Sequence, residues 1–200
     1  MNDELASGIE SLQVRASIAK IFIVLVAVSA LICAGAVAWY LEMDVLDDAQ
    51  FLGDSHIFVI LLTAQFILLI ASFFAVGAWI YRAHGNLSTA DFPSLEYSPG
   101  WAIAWYAIPI ANWFKPFQAM RELWFASHGA VADYEQSAPP LLWAWWISWL
   151  FSNLANFSQE LGALDVVGFA FTTASAVCIF VIVDRITKAQ PGMSVAATFE

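Results

Sequence analysis

The sequence predicts an all-α fold: a polytopic helical membrane protein with four transmembrane helices and a proline-broken re-entrant or interfacial helix between the second and third. Three observations carry that reading. Hydrophobic residues make up 61% of the 200-residue chain and charged residues only 12%, with a mean hydropathy of +0.72. That is more apolar surface than one soluble core of this length can hide. Four apolar runs, at about 21–41, 57–81, 141–157 and 166–183, are of the length a helix needs to cross roughly 30 Å of hydrocarbon. The seven Lys and Arg residues are so placed that four crossings, with both termini inside, put every one of them on the cytoplasmic face.

Residues 1–16 mix Asp3, Glu4 and Glu10 with Arg15, and the apolar run that follows is too long and too poorly flanked for a cleaved signal peptide. A lipoprotein reading of LICAG fails because Ile32 stands where a small residue is needed before Cys33. In the first run Ala30, Ala34 and Ala38 recur every four residues, a smooth stripe on which another helix can pack closely. Glu42, Asp44, Asp47, Asp48 and Asp54 then crowd a loop free of Lys and Arg, which marks it as an outer loop. These acids lack the alternating spacing and glycine of a calcium loop, so a solvated acidic loop is expected.

The second run carries Gln65 and Ser72 on one stripe, with Ala71, Ala75 and Gly77 for close packing, and ends in Trp79, Tyr81 and Arg82, a collar suited to the headgroup boundary. Arg82 and Asn86 lie four apart and share a face if the helix continues. Residues 84–96 are polar, with Gly85 and Pro93, and are expected to form a loop.

The stretch 97–130 is the most unusual in the chain. Pro109 and Pro116 lack an N–H and, on a helix, would release the carbonyls of Trp105 and Asn112, seven residues or about two turns apart on one side. Residues 101–114 are apolar but only about fourteen long, which favours a buried or re-entrant segment over a full crossing. From Pro116 the pattern turns amphipathic: Phe117, Met120, Leu123 and Trp124 fall on one arc, with Gln118, Arg121, Glu122 and His128 opposite. Such a helix suits the membrane surface or a groove between spans.

Pro139 and Pro140 are placed to open the third full span. Its tryptophans, Trp143, Trp145, Trp146 and Trp149, are expected to divide between lipid-facing anchors and helix packing. Asn153 and Asn156 approach its far side, and a short acidic loop with Glu160 and Asp165 follows. The last span has Gly168, Thr172 and Ser175 on one small-residue face, ends at Asp184, Arg185 and Lys188, and leads to a flexible tail through Pro191 and Gly192. No internal repeat marks a duplicated transporter fold, and the whole chain, 1–200, is expected to form a single membrane domain.

The pattern at Trp79, Arg82, Ala83, Asn86 and Leu87, continued by Ser98, Pro99, Gly100, Trp101 and Ala102, resembles a family of bacterial polytopic membrane proteins catalogued as domain of unknown function 4328. The resemblance runs on through Pro109, Ala111, Asn112, Pro116, Met120, Arg121, Glu122, Leu123, Trp124 and Ser127, and extends more weakly over the tryptophan-rich span. It implies a bacterial cytoplasmic-membrane location and a multi-span helical body. It implies no established activity and supplies no catalytic residue.

The candidate polar site comprises Arg82, Asn86, Trp105, Asn112, Lys115, Arg121 and Glu122, a notch of released carbonyls and amide that Arg82, Asn86, Arg121 or a ligand cation would fill. Irregular backbone at membrane depth is tolerated only where protein or a water-filled cavity satisfies it. The bland alternative is that Lys115 and Arg121 snorkel to anionic headgroups while the prolines kink a structural helix. No cofactor or metal is expected: His56, His84 and His128 share no span at ligand spacing, and Cys33 and Cys178 sit alone in apolar runs. No basic stretch neutralises phosphates, which argues against nucleic acid.

The expected partners are the lipid bilayer and a membrane protein or a second copy of the chain. The leading functional expectation is a non-enzymatic membrane protein that binds a partner, a lipid or a small solute through 97–130. The runner-up is a small transporter or channel lined by Gln65, Ser72, Asn112, Asn153, Thr172 and Ser175, and the third an intramembrane enzyme using Glu122 with His128 or Arg121.

Overall fold

A computed structural model describes residues 3–42, 48–92, 95–129, 137–155 and 162–196. Among them are six α-helices and no strand: α1 (Asp3–Glu42), α2 (Asp48–Thr89), α3 (Pro99–Ala104), α4 (Lys115–Ser127), α5 (Pro140–Ala155) and α6 (Ala163–Ala196). Two 3-10 turns, Trp105–Ala107 and Ala111–Trp113, lie between α3 and α4. Three helices, α1, α2 over His56–Thr89 and α6 over Ala163–Gly192, are long and apolar enough to cross a membrane. α5 has 16 residues, short of the roughly 20 of a typical crossing. The expected outer acidic cluster at Asp44 and Asp47, with Asn156 and Glu160, lies outside the described residues.

Every long helix outruns its expected span. The segment expected as a loop from His84 stays helical to Thr89 because its polar side chains support the helix: Ser88 Oγ donates to the His84 carbonyl (3.2 Å) and Thr89 Oγ1 to that of Gly85 (3.0 Å). Its end is set at Asp91, whose φ of 49° lets Phe92 N–H reach back to the Leu87 carbonyl. α6 likewise runs through Pro191, where a flexible tail was expected. The two prolines of the central stretch do not interrupt one helix. Pro109 falls between the 3-10 turns, and Pro116 sits in the first turn of α4, where its missing N–H is harmless.

α1 buries Leu5, Ile9, Leu12, Ala16, Ala19, Ile23, Val26, Ala30, Cys33 and Val37, an alternation of four- and three-residue steps that keeps one seam facing its neighbours along the whole helix. The expected stripe of Ala30, Ala34 and Ala38 is therefore replaced by Ala30, Cys33 and Val37, with Ala34 and Ala38 only half-buried beside it.

The chain divides into two compact units, one of residues 1–20, 74–143 and 180–200 and the other of 21–73 and 144–179. The second is packed around Ala30, Cys33, Val37 and Phe169, flanked by Phe58, Leu61 and Leu62. Ser29 Oγ bonds Gln65 Oε1, and the Cys33 thiol faces the Leu61 carbonyl at 3.8 Å. In this unit Trp145 and Trp146 are buried and Phe151 stacks on Phe171 with ring centroids 5.1 Å apart. It contains no Lys or Arg; all seven basic residues belong to the first unit.

The first unit is closed by a near-contact at Gly8, where a Cβ would overlap the Arg82 guanidinium and the Asn86 side-chain oxygen. Gly8→Ala should therefore destabilise the protein by about 1–3 kcal/mol, whereas Gly85→Ala, facing open space within α2, should stabilise it by up to about 1 kcal/mol. Unfolding of the two variants in one detergent checks both signs; equal melting temperatures would contradict the packing described.

Candidate polar site

The first unit contains two sets of polar contacts. The first is built by α1, α2, α4 and α6. Arg82 Nε donates to the Gly8 carbonyl (3.2 Å) and to Asn86 Oδ1 (2.9 Å). Asn86 Nδ2 donates to the same Gly8 carbonyl (3.3 Å) and to Gln190 Oε1 (2.8 Å). Gln190 Nε2 in turn donates to the Ala83 carbonyl (3.0 Å) and Ser127 Oγ (3.2 Å). Asn86, Gln190 and Ser127 are all buried. The chain of donors has one direction: the guanidinium must donate, which turns the Asn86 oxygen toward it and so presents the Asn86 N–H groups to Gln190. Both buried amides are thus fully used, the condition under which a buried polar network is not a liability.

Trp79, expected in a headgroup collar, is instead completely buried, and its indole N–H donates to Thr187 Oγ1 at 3.0 Å. Tyr81 remains exposed. His84 is buried too, with Nδ1 facing the Ile80 carbonyl at 3.1 Å.

The second set forms where the chain enters and leaves α3. Ser98 caps α3 by accepting from Trp101 N–H, with Pro99 in the first turn. Just before it, the backbone N–H groups of Glu96 and Tyr97 donate to Glu122 Oε2 (2.7 Å) and Oε1 (3.1 Å). One carboxylate on α4 thereby holds the segment that leads into α3. Lys115 Nζ donates to the Tyr97 hydroxyl (3.1 Å), lies 3.6 Å from Glu96 and sits over the rings of Tyr97 and Trp105, 5.3 and 5.7 Å from their centroids. The Tyr97 hydroxyl in turn donates to Gln118 Oε1 at 2.8 Å.

The sequence-predicted residues are thus distributed over separate places. Arg82 and Asn86 share the first network, and Trp105, Lys115 and Glu122 gather around residues 96–97. Arg121 stacks its guanidinium on Phe125, 5.9 Å from the ring centroid, and the Asn112 side chain joins neither set. The expected notch of two released carbonyls has no single helix to build it: the Trp105 carbonyl accepts from Ile108 N–H (3.4 Å), and Arg82 and Asn86 turn to Gly8. Among the described residues, the buried Trp105 Nε1 and Asn112 Oδ1 of this stretch have no hydrogen-bond partner. α4 differs from a surface helix: Glu122 and Ser127 of its polar side are buried together with Phe117, Met120, Leu123 and Trp124.

Sequence reasoning missed Gly8, Glu96, Tyr97, Thr187 and Gln190. The signal for the last two was present, since Ile179, Ile182, Val183, Ile186, Thr187 and Gln190 continue one helical stripe beyond Asp184.

Burial raises the Glu122 carboxyl above its ordinary value of 4.5, and the N–H groups of Glu96 and Tyr97 only partly offset this. The folded form therefore binds more protons than the unfolded one between the two values. The stabilisation is complete below about 4.5 and is lost as pH rises through the folded value. Glu122→Gln should flatten this part of the profile, and Glu122→Ala, which leaves two backbone donors without an acceptor, should cost about 1–3 kcal/mol. Denaturant titrations of the wild type and both variants at a series of pH values test this; a wild-type stability that climbs through the window contradicts it.

No curated protein and no solved structure matches the chain. Residues 42–188, which include α2 to α5, most of α6 and both sets of contacts apart from Gly8 and Gln190, match the model of a family described as Domain of unknown function (DUF4328). That description carries no activity, and on this match the chain belongs to the DUF4328 family.

Proposed function

We propose that the chain is a four-span protein of a bacterial cytoplasmic membrane, with both termini inside, in which residues 97–129 form a non-enzymatic, lipid-engaging insert that enters and leaves on the cytoplasmic side. The observation that carries the proposal is the surface of the turns between α3 and α4. Ile110 is 80% exposed, and Trp101, Ile108, Trp113 and Phe114 are exposed beside it. An apolar tip of this kind is costly in water and fits the interface of a bilayer, where indoles are favoured. Lys115 stands directly after the tip, in a position to meet headgroups while its stem covers aromatic surface.

Further support comes from charge and from the helix surfaces. The segregation of every Lys and Arg into one unit accords with a single cytoplasmic face. α1 and α2 expose Ile21, Val28, Leu31, Ile60, Phe66 and Phe74, residues that suit hydrocarbon far better than water. With α5 as the fourth crossing, the chain returns inside at the end of α6. Two of the polar residues expected to line a transport path bond within their own helices instead: Thr172 Oγ1 donates to the Gly168 carbonyl and Asn153 Nδ2 to that of Trp149.

The insert is tested with Ile110→Cys in a Cys33→Ala, Cys178→Ala background, reconstituted in vesicles and labelled with an environment-sensitive dye. Quenching by spin-labelled lipids with weak quenching by aqueous iodide is the expected result. Iodide quenching as strong as for free dye would overturn the insert.

A further inference from the structure

We propose that Arg15 and Arg82 form a binding site for the phosphate group of an anionic phospholipid on the seam between α1 and α2. Each arginine crosses that seam and is held by a backbone carbonyl of the other helix. Arg82 Nε reaches from α2 to Gly8, and Arg15 Nη1 reaches from α1 to the Ala78 carbonyl at 2.9 Å. Ala78 and Arg82 are four residues apart on α2, about 6 Å along the axis, so the carbonyl that holds Arg15 and the residue Arg82 itself lie one turn apart on the same seam. Gly8 makes the inner end possible, since a side chain there would occupy the space of the Arg82 guanidinium.

Neither cation pairs with a carboxylate among the described residues. The ion pairs among the described residues are Lys20 with Asp184, Lys188 with Asp184, and Lys115 with Glu96, all made by lysines. Glu4 and Glu10, the acids nearest to these arginines along α1, are exposed and pair with neither. Among the described residues Arg15 bonds through Nη1 and Arg82 through Nε, which leaves other N–H donors of each guanidinium without a protein acceptor. Two half-buried guanidinium groups on one seam favour an anion beside them, and a phosphate, with several oxygens in fork geometry, matches such donors. The surroundings choose the source of that phosphate. Val14 and Ile18 flank Arg15, Tyr81 adjoins Arg82, and all three are exposed, at 61%, 46% and 51%. A soluble phosphate has no use for such a border, whereas a phospholipid lays its acyl chains along it.

This site rests on the membrane reading of the chain but not on the insert at Ile110. In neutral detergent, the purified protein is titrated with short-chain phosphatidylglycerol, short-chain phosphatidylcholine and inorganic phosphate, and thermal unfolding is followed by tryptophan fluorescence. Phosphatidylglycerol should raise the melting temperature saturably and the other two far less. Arg15→Gln and Arg82→Gln should each weaken that response by about tenfold, while Arg185→Gln, an exposed arginine on α6, should leave it intact. Arg15→Gln decides the matter if Arg82→Gln does not fold. An Arg15→Gln titration identical to wild type, or an equal loss in Arg185→Gln, overturns the site. Inorganic phosphate acting as strongly as the lipid overturns the lipid assignment. Neither result bears on the depth of Ile110, and an aqueous Ile110 would leave the lipid titration standing.

Discussion

The bond between the side-chain amides of Asn86 and Gln190 is the constraint around which one unit of this protein is arranged. Neither residue touches solvent to any useful extent, so each amide must find its partners inside, and leaving one donor or acceptor unmatched costs about 1–3 kcal/mol. That requirement fixes helix rotation as well as proximity. α1 must present the Gly8 carbonyl, α2 both Ala83 and Asn86, α4 the Ser127 hydroxyl and α6 the Gln190 side chain, all at once. Apolar packing alone would tolerate a small rotation of any of these helices; a saturated amide relay does not. The absence of a side chain at Gly8 is then a condition of the relay, because the donors converge on its carbonyl from the space a Cβ would take.

Lysine and arginine have different tasks in this unit. Lys20 and Lys188 both reach Asp184, at 2.9 and 2.7 Å, and Lys115 is surrounded by Glu96, Tyr97 and Trp105. Each lysine thus behaves as a compact charge set beside an opposite charge or a ring face. Arg15 and Arg82 instead use single N–H groups to bridge α1 and α2 through backbone carbonyls. A planar fork can bind a carbonyl on one edge and still offer its other edge, which an ammonium cannot do with the same geometry.

The helices of the fold were legible as long apolar runs, because length and apolarity are properties of composition. Their ends were not. Residues 84–89 have loop composition, yet the hydroxyls of Ser88 and Thr89 bond carbonyls one turn back and keep the helix going. The segment after Asp184 has a Pro and a Gly, yet Gln190 is anchored on α2 and α4 before the proline is reached. The two cases differ in cause: the hydroxyls of residues 84–89 are satisfied one turn back within α2, whereas Gln190 finds its partners on α2 and α4, which no local window contains. Arg82 with Asn86 was foreseeable, being a four-residue pair on one helix. The meeting of Glu122 with Glu96 and Tyr97 was not, because it depends on the fold of the chain between them.

The same distinction separates scaffold from site among the polar residues. A buried side chain whose hydrogen-bonding capacity is filled by the protein has no valence left for a ligand, however unusual its position. Asn86 and Gln190 are filled, and Glu122 has one backbone donor on each oxygen. These residues explain why the unit has one structure. The atoms left without a hydrogen-bond partner among the described residues include further N–H groups of Arg15 and Arg82 and, within the central stretch, Trp105 Nε1 and Asn112 Oδ1. Charged residues thus stand on both sides of the distinction: Glu122 holds the structure together, and the unfilled valences include N–H groups of Arg15 and Arg82 as well as atoms of a tryptophan and an asparagine that carry no charge.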